Sequence, residues 1–143
     1  MKDIEIAKYE DLEIGDSASV THTITENDIE TFGNLSGDYN PLHFNEEWAK
    51  KTMFKGRIAH GVLTAAYVSA AIGMKLPGPG TIYLSQSMRF RRPVRIGDTI
   101  TATVEVIGKE DEKERITLGT MVTNQEDEIV LQGDAVIMLM KEE

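Results

Sequence analysis

The sequence predicts an α+β fold in which an antiparallel sheet wraps a long central helix. Residues 58 to 75, IAHGVLTAAYVSAAIGMK, are apolar or small on nearly every face, and a helix of that kind must be surrounded. After Pro77-Gly78-Pro79-Gly80 the chain falls into four runs with a period of two, the mark of strands with one buried face. Charged turns at Lys109 to Lys113 and Asn124 to Asp127 join the last three runs as a meander. The 143 residues fit one domain, 1–143, and their 41% hydrophobic share supplies a single core.

From the N-terminus, Ser17 to Thr25 alternates loosely in β-formers and predicts a strand. Thr25-Glu26-Asn27-Asp28 has the form of a helix-capping box. The helix begun there places Ile29 and Phe32 on one face and runs toward Leu35 until Gly37 stops it. A second short helix begins after Asn45, a good cap, and carries Trp48 as a core anchor. At 1.5 Å per residue the central helix is roughly 25 Å long, too short and too interrupted by His60, Ser69 and Gly73 to span a membrane. Among the strands, Ile82, Leu84, Met88 and Phe90 share one face of the first. Ile100, Ala102, Val104 and Val106 share a face of the second, and Ile116, Leu118, Thr120 and Val122 of the third. Ile129, Leu131, Ala135, Ile137 and Leu139 do so in the fourth. EIGDSASV (13–20) and RIGDTITATV (95–104) echo each other, each as a Gly-Asp turn entering a strand.

Composition excludes several function classes. A formal charge of −9 argues against nucleic acid or an anionic membrane surface, so any anionic ligand must be caught locally. The absence of cysteine removes disulfides and thiolate catalysis, and three dispersed histidines do not make a dedicated zinc site. MKDIEIAKYEDLEIGD lacks the apolar core of a signal peptide, which leaves a cytoplasmic enzyme or binding module.

Two segments carry candidate chemistry. In SGDYNPLHFN (36–45), Asp38 and His43 stand five positions apart across Asn40-Pro41. Spacing alone favours a plain turn, because Asp and Asn close local hydrogen bonds and Pro presets its own φ. Yet Pro41 also pushes Asn40 toward an extended backbone, so Asp38 and His43 sit on a preset arc that can aim both at one water. A carboxylate and an imidazole together accept and supply a proton near neutral pH. The second segment is GRIAHGV (56–62), where the helix begins. First-turn N–H groups have no partner inside a helix and lie at the positive end of its dipole, and Gly61 leaves room for a ligand. The competing reading makes Gly61 a packing glycine and His60 a satisfied buried histidine. Taken together, the two segments supply an acid/base pair and an oxyanion hole.

LSGDYNPLHFNEEWA, RIAHGVLTAAYVSAAIG, LPGPGTIYLSQSMRFRRPV and IGDTITATVEV closely resemble the hydratase-2, or MaoC-like, (R)-specific enoyl-CoA hydratases. The likeness runs from about Thr25 to about Val106, and the Asp-x-Asn-Pro-x-His core is specific. It implies the hotdog fold and the reversible hydration of trans-2-enoyl-CoA to (R)-3-hydroxyacyl-CoA. It further implies Asp38 and His43 as the catalytic pair, the Gly61 N–H on the thioester oxygen, and Ser69 near the reacting centre. No metal or cofactor is implied, coenzyme A being part of the substrate. The implied assembly is a homodimer, or a larger homo-oligomer, with substrate tunnels near the subunit interface. Arg89, Arg91, Arg92 and Arg95, with Lys55 and Arg57, are candidate contacts for the CoA phosphates; a solvated strand edge is the competing reading. Alternatives are a dehydratase acting on acyl carrier protein, a hotdog acyl-CoA thioesterase, and a non-catalytic acyl-CoA sensor. Acyl chain length depends on how the tunnel ends among Leu63, Tyr67, Ile72 and Met74.

Overall fold

A computed structural model describes residues 4–141. A 3-10 turn (Tyr9–Asp11) precedes β1 (Ser17–Thr23), α1 (Glu26–Ser36), α2 (Pro41–Phe44), α3 (Glu46–Ala49) and α4 (Gly61–Met74). Then come β2 (Thr81–Gln86), β3 (Arg89–Phe90), β4 (Thr99–Glu110), β5 (Arg115–Thr123) and β6 (Ile129–Leu139). The strands form one antiparallel sheet in the order β1-β4-β5-β6-β2, with β3 also paired to β6. This is the expected α+β architecture: α4 packs on β1, β4 and β5, and the meander of β4, β5 and β6 forms the middle of the sheet.

The period of two in the middle strands is what fixes the core. Ile100, Ala102, Val104, Val106, Ile116, Leu118 and Val122 are wholly buried, and Thr120 nearly so. In β6, Leu131, Ala135, Ile137 and Leu139 are buried but Ile129 is 37% exposed. A register shift at Val122/Thr123 leaves that end of the ladder outside the alternation. The first run departs further from expectation. It breaks into β2 and β3, its pairing with β6 slips at Tyr83/Ser85, and Leu84, Met88 and Phe90 are exposed. One irregularity suffices to turn the following side chains to the other face.

The capping box is present as read, with Thr25 and Asp28 bonding reciprocally, and Ile29 is buried while Leu35 faces solvent. Asn45 caps α3, its Oδ1 accepting from the Trp48 N–H at 3.0 Å. Trp48, however, is no core anchor. It is 48% exposed, and the single-turn helix buries Ala49 instead. The echoing Gly-Asp turns prove reciprocal: the Gly15 N–H donates to the Val106 carbonyl at 2.9 Å, and the Gly97 N–H to the Ile24 carbonyl at 2.7 Å. Each turn thereby closes one end of the β1–β4 ladder.

Central helix α4 is sealed on one side only. Leu63, Thr64, Ala65, Val68, Ala71 and Ile72 are buried, while Val62, Ala66, Ser69 and Gly73 form an exposed stripe at helical spacing. The sheet covers the first set and leaves the second. None of the helices among the described residues is long and apolar enough to cross a membrane.

Candidate active site

Between α1 and α2 the chain is stiffened by a run of short local bonds. Gly37 ends α1 in the left-handed region (φ 81°), a conformation that disfavours any residue with a Cβ. The Ser36 hydroxyl accepts from the Asp38 N–H at 3.1 Å, the Asp38 carboxylate from the Asn40 N–H at 3.2 Å, and the Asn40 side chain from the Leu42 N–H at 3.1 Å. Pro41 opens α2, where no N–H is needed. The turn reading of this segment is therefore correct, and it is compatible with the chemical one, since the same bonds fix where Asp38 and His43 stand.

Asp38 is exposed and His43 is buried. The His43 Nδ1 lies 2.8 Å from the Ile58 carbonyl oxygen. A carbonyl only accepts, so Nδ1 carries the proton and the lone pair is left on Nε2. Burial lowers the pKa of His43 from its ordinary value, and the His60 ring adds to that, against the raising influence of the Ile58 bond and of Asp38. The neutral imidazole is thus favoured.

His60 completes the cluster. It is 2% exposed, its ring centroid lies 4.0 Å from that of His43, and its Nε2–H donates to the Asp38 backbone carbonyl at 3.0 Å. The competing sequence reading made it a satisfied buried histidine; only half of that holds, because His60 Nδ1 is buried without a partner. Polar atoms of Asp38, His43 and His60 all fall within 4.8 Å of one another. With two ring nitrogens already committed to carbonyls, what remains for a ligand is one carboxylate and two lone pairs.

His43 and Gly61 line the same cleft, of about 360 Å³, whose walls include Ile58, Val94 and Leu131. That volume lies within the range of small-molecule sites. Gly61 opens α4, so its N–H has no acceptor within the helix. A Cβ on Gly61 would lie 2.6 Å from the Phe90 ring. The glycine thus serves the close approach of Phe90 as well as room for a ligand. Ser69 is placed differently, two turns further along α4 on its exposed stripe and outside the residues lining this cleft.

The basic residues divide. Arg91 and Arg92 line the cleft, Arg92 within 3.1 Å of Glu128, and Arg89 borders a groove on the sheet. Arg95 reaches toward the Gly56 carbonyl at 3.4 Å, and Lys55 lies beside it. Arg57 is engaged inside the protein: its Nε donates to the His43 carbonyl and its Nη1 pairs with Glu26. Sequence reasoning placed Arg57 among the phosphate contacts because nothing local to residue 57 signals partners that lie 14 and 31 positions away.

The family model described as MaoC like domain matches residues 13–128. An (R)-specific enoyl-CoA hydratase of Rhodospirillum rubrum is 49% identical over 137 residues, covering 96% of this chain and 94% of the relative. A 3-hydroxybutyryl-CoA dehydratase of Methylorubrum extorquens is 40% identical over 143 residues, covering 100% of this chain and 90% of the relative. The structure of an unliganded R-hydratase from Pseudomonas aeruginosa superposes with a TM-score of 0.88 at 46% identity, covering 96% of this chain and 88% of the other.

Proposed function

Since the chain belongs to the MaoC-like domain family and has the hotdog fold of those hydratases, we propose that it adds water to trans-2-enoyl-CoA thioesters, giving (R)-3-hydroxyacyl-CoA, and catalyses the reverse dehydration. The observation that carries this reading is the placement of His43, with its lone pair on Nε2, in one apolar cleft with the open N–H end of α4 at Gly61.

The mechanism follows from conjugation. When water attacks C3, electron density moves through C2 to the thioester oxygen, and an N–H placed there stabilises charge that the ground state lacks. The Gly61 N–H has that role. His43 takes the proton of the attacking water on Nε2, and Asp38 orients the water from the exposed side of the cluster. The C3–O bond forms, the C2–C3 double bond is consumed, and C2 receives a proton from the Asp38–His43 pair. Atoms and charges balance without any further reactant, so the cycle consumes no co-substrate.

The names of the compared relatives, a hydratase and a dehydratase of CoA esters, support CoA rather than a protein as the carrier. Arg91 and Arg92 at the cleft supply positive charge for CoA phosphates on an otherwise acidic protein. The reading extends to a cytoplasmic homodimer, or a larger homo-oligomer, in which a second copy covers the stripe on α4 that carries Ser69. The test is incubation with crotonyl-CoA and longer enoyl-CoAs, following loss of the conjugated absorbance and resolving the product on a chiral column. The (R) alcohol is expected. Mainly (S) product, or free CoA without hydration, overturns the proposal.

A further inference from the structure

Thr64 is a polar side chain that neither the packing of α4 nor the acid/base pair uses. It is 2% exposed, it lines the same cleft as His43 and Gly61, and its hydroxyl has no hydrogen-bond partner. A threonine within a helix commonly turns its hydroxyl back to the carbonyl four residues earlier. Here the His60 carbonyl is met at 3.3 Å by the Thr64 backbone N–H, and the hydroxyl is not bonded to it.

An unpartnered hydroxyl destabilises a buried site, whereas valine has the same shape and lacks that cost. Ile58, Ala59, Val94 and Leu131 line the cleft around it and offer no side-chain acceptor, and neither His43 Nε2 nor His60 Nδ1, the lone pairs nearby, is bonded to the hydroxyl. A bound ligand can supply the partner that the protein does not. Residues three apart share a helix face, and side chains of a helix lean toward its N-terminus. The Thr64 side chain accordingly leans over the turn that begins at Gly61. The acyl part of an enoyl thioester carries a single oxygen, and that is the atom toward which the α4 N-terminus is directed.

We propose that the Thr64 hydroxyl donates a second hydrogen bond to the thioester oxygen, beside the Gly61 N–H. The proposal rests on the hydratase reading and extends it. A side-chain donor at this oxygen strengthens its bond as charge develops, so Thr64 contributes to turnover as well as binding.

The test compares Thr64→Val and Thr64→Ser with the unmodified protein in three measurements: hydration of crotonyl-CoA, affinity for unreactive butyryl-CoA by calorimetry, and Tm without ligand. Thr64→Val should lower kcat by about 10²-fold, the scale for losing one oxyanion donor. It should weaken butyryl-CoA binding about fivefold, as expected for one neutral hydrogen bond. Its Tm should be unchanged or higher, since the unpartnered hydroxyl is gone. Thr64→Ser, which keeps the hydroxyl, should restore most of both ligand effects. Normal kcat and affinity in Thr64→Val would overturn the proposal, as would activity falling in step with Tm, or a serine variant as impaired as the valine one. If the unmodified protein binds butyryl-CoA but hydrates nothing, the hydratase reading fails while the affinity ratio still decides the role of Thr64. If it does neither, both fail.

Discussion

Arg57 donates from Nε to the backbone carbonyl of His43 at 2.7 Å while its Nη1 stands 2.8 Å from the Glu26 carboxylate. Only 14% of the side chain is exposed. The four-residue helix α2 leaves its last carbonyls without acceptors' usual partners, and Arg57 satisfies the one that belongs to His43, tying it to the first turn of α1. A guanidinium makes both contacts at once through its planar fork, whereas a lysine ammonium has no equivalent geometry. Arg57→Lys should therefore reduce kcat by about tenfold through misplacement of His43, with KM little altered. Were Arg57 a phosphate contact, KM for the CoA ester would rise with kcat intact, and steady-state kinetics separates the two.

Asp38 and His43 are expected to act as a unit. Asp38→Asn and His43→Gln should each lower turnover by about 10²-fold or more, and the double variant should be scarcely worse than the poorer single one. Circular dichroism and gel filtration should show folded protein in every case. Near-normal turnover in Asp38→Asn would remove the carboxylate from the mechanism.

At Gly61 the contact with Phe90 predicts a specific rescue. Gly61→Ala sets a methyl 2.6 Å from the Phe90 ring, so one of the two must move, and turnover should fall by about tenfold as the helix start shifts. Phe90 is 55% exposed at the end of the short β3, so its side chain can be shortened at small cost. Adding Phe90→Leu should restore part of the lost activity if steric displacement is the cause. If the added methyl instead blocks the ligand directly, the double variant stays as slow as Gly61→Ala.

The environment of His43 sets a pH dependence of definite sign. Burial, the largest influence, holds its pKa below the ordinary value of 6.5. The unfolded chain therefore takes up this proton first as the medium is acidified, and stability present above about pH 6.5 is lost as pH falls from there through the lowered native value. Thermal melts across this range should show the loss, and His43→Gln should diminish it. If the neutral ring is the base, as proposed, the acid limb of kcat/KM should also lie below pH 6.5.

The parts of this molecule legible in sequence are those governed by near neighbours. Alternation in β4 and β5 marks Ile100 to Val106 and Ile116 to Val122 as core without knowing their partners, and the Thr25–Asp28 box lies within a single turn. That Asp38 and His43 come together was legible because Asn40 and Pro41 stiffen the interval between them. What escaped depends on distant segments. Trp48 looked like an anchor because large aromatics usually seek burial, but α3 is one turn long and turns Ala49 inward. Slippage of β2 against β6, the stacking of His60 on His43, and the fold of Phe90 over Gly61 are set by residues tens of positions apart. A signal for Thr64 did exist, as a hydroxyl three residues after Gly61 on a helix otherwise rich in apolar positions.

If a second copy covers the exposed stripe of Val62, Ala66, Ser69 and Gly73, as proposed, dilution becomes a perturbant of this fold. A helix that its own sheet covers on one side leaves the other to water or to a second copy, and a second copy that binds only the native chain stabilises it by mass action. Tm should then climb as protein concentration rises, at constant buffer and heating rate, whereas a self-sufficient monomer would melt at one temperature whatever its concentration. A charged residue in place of Ala66 should flatten that dependence while leaving the secondary structure in place.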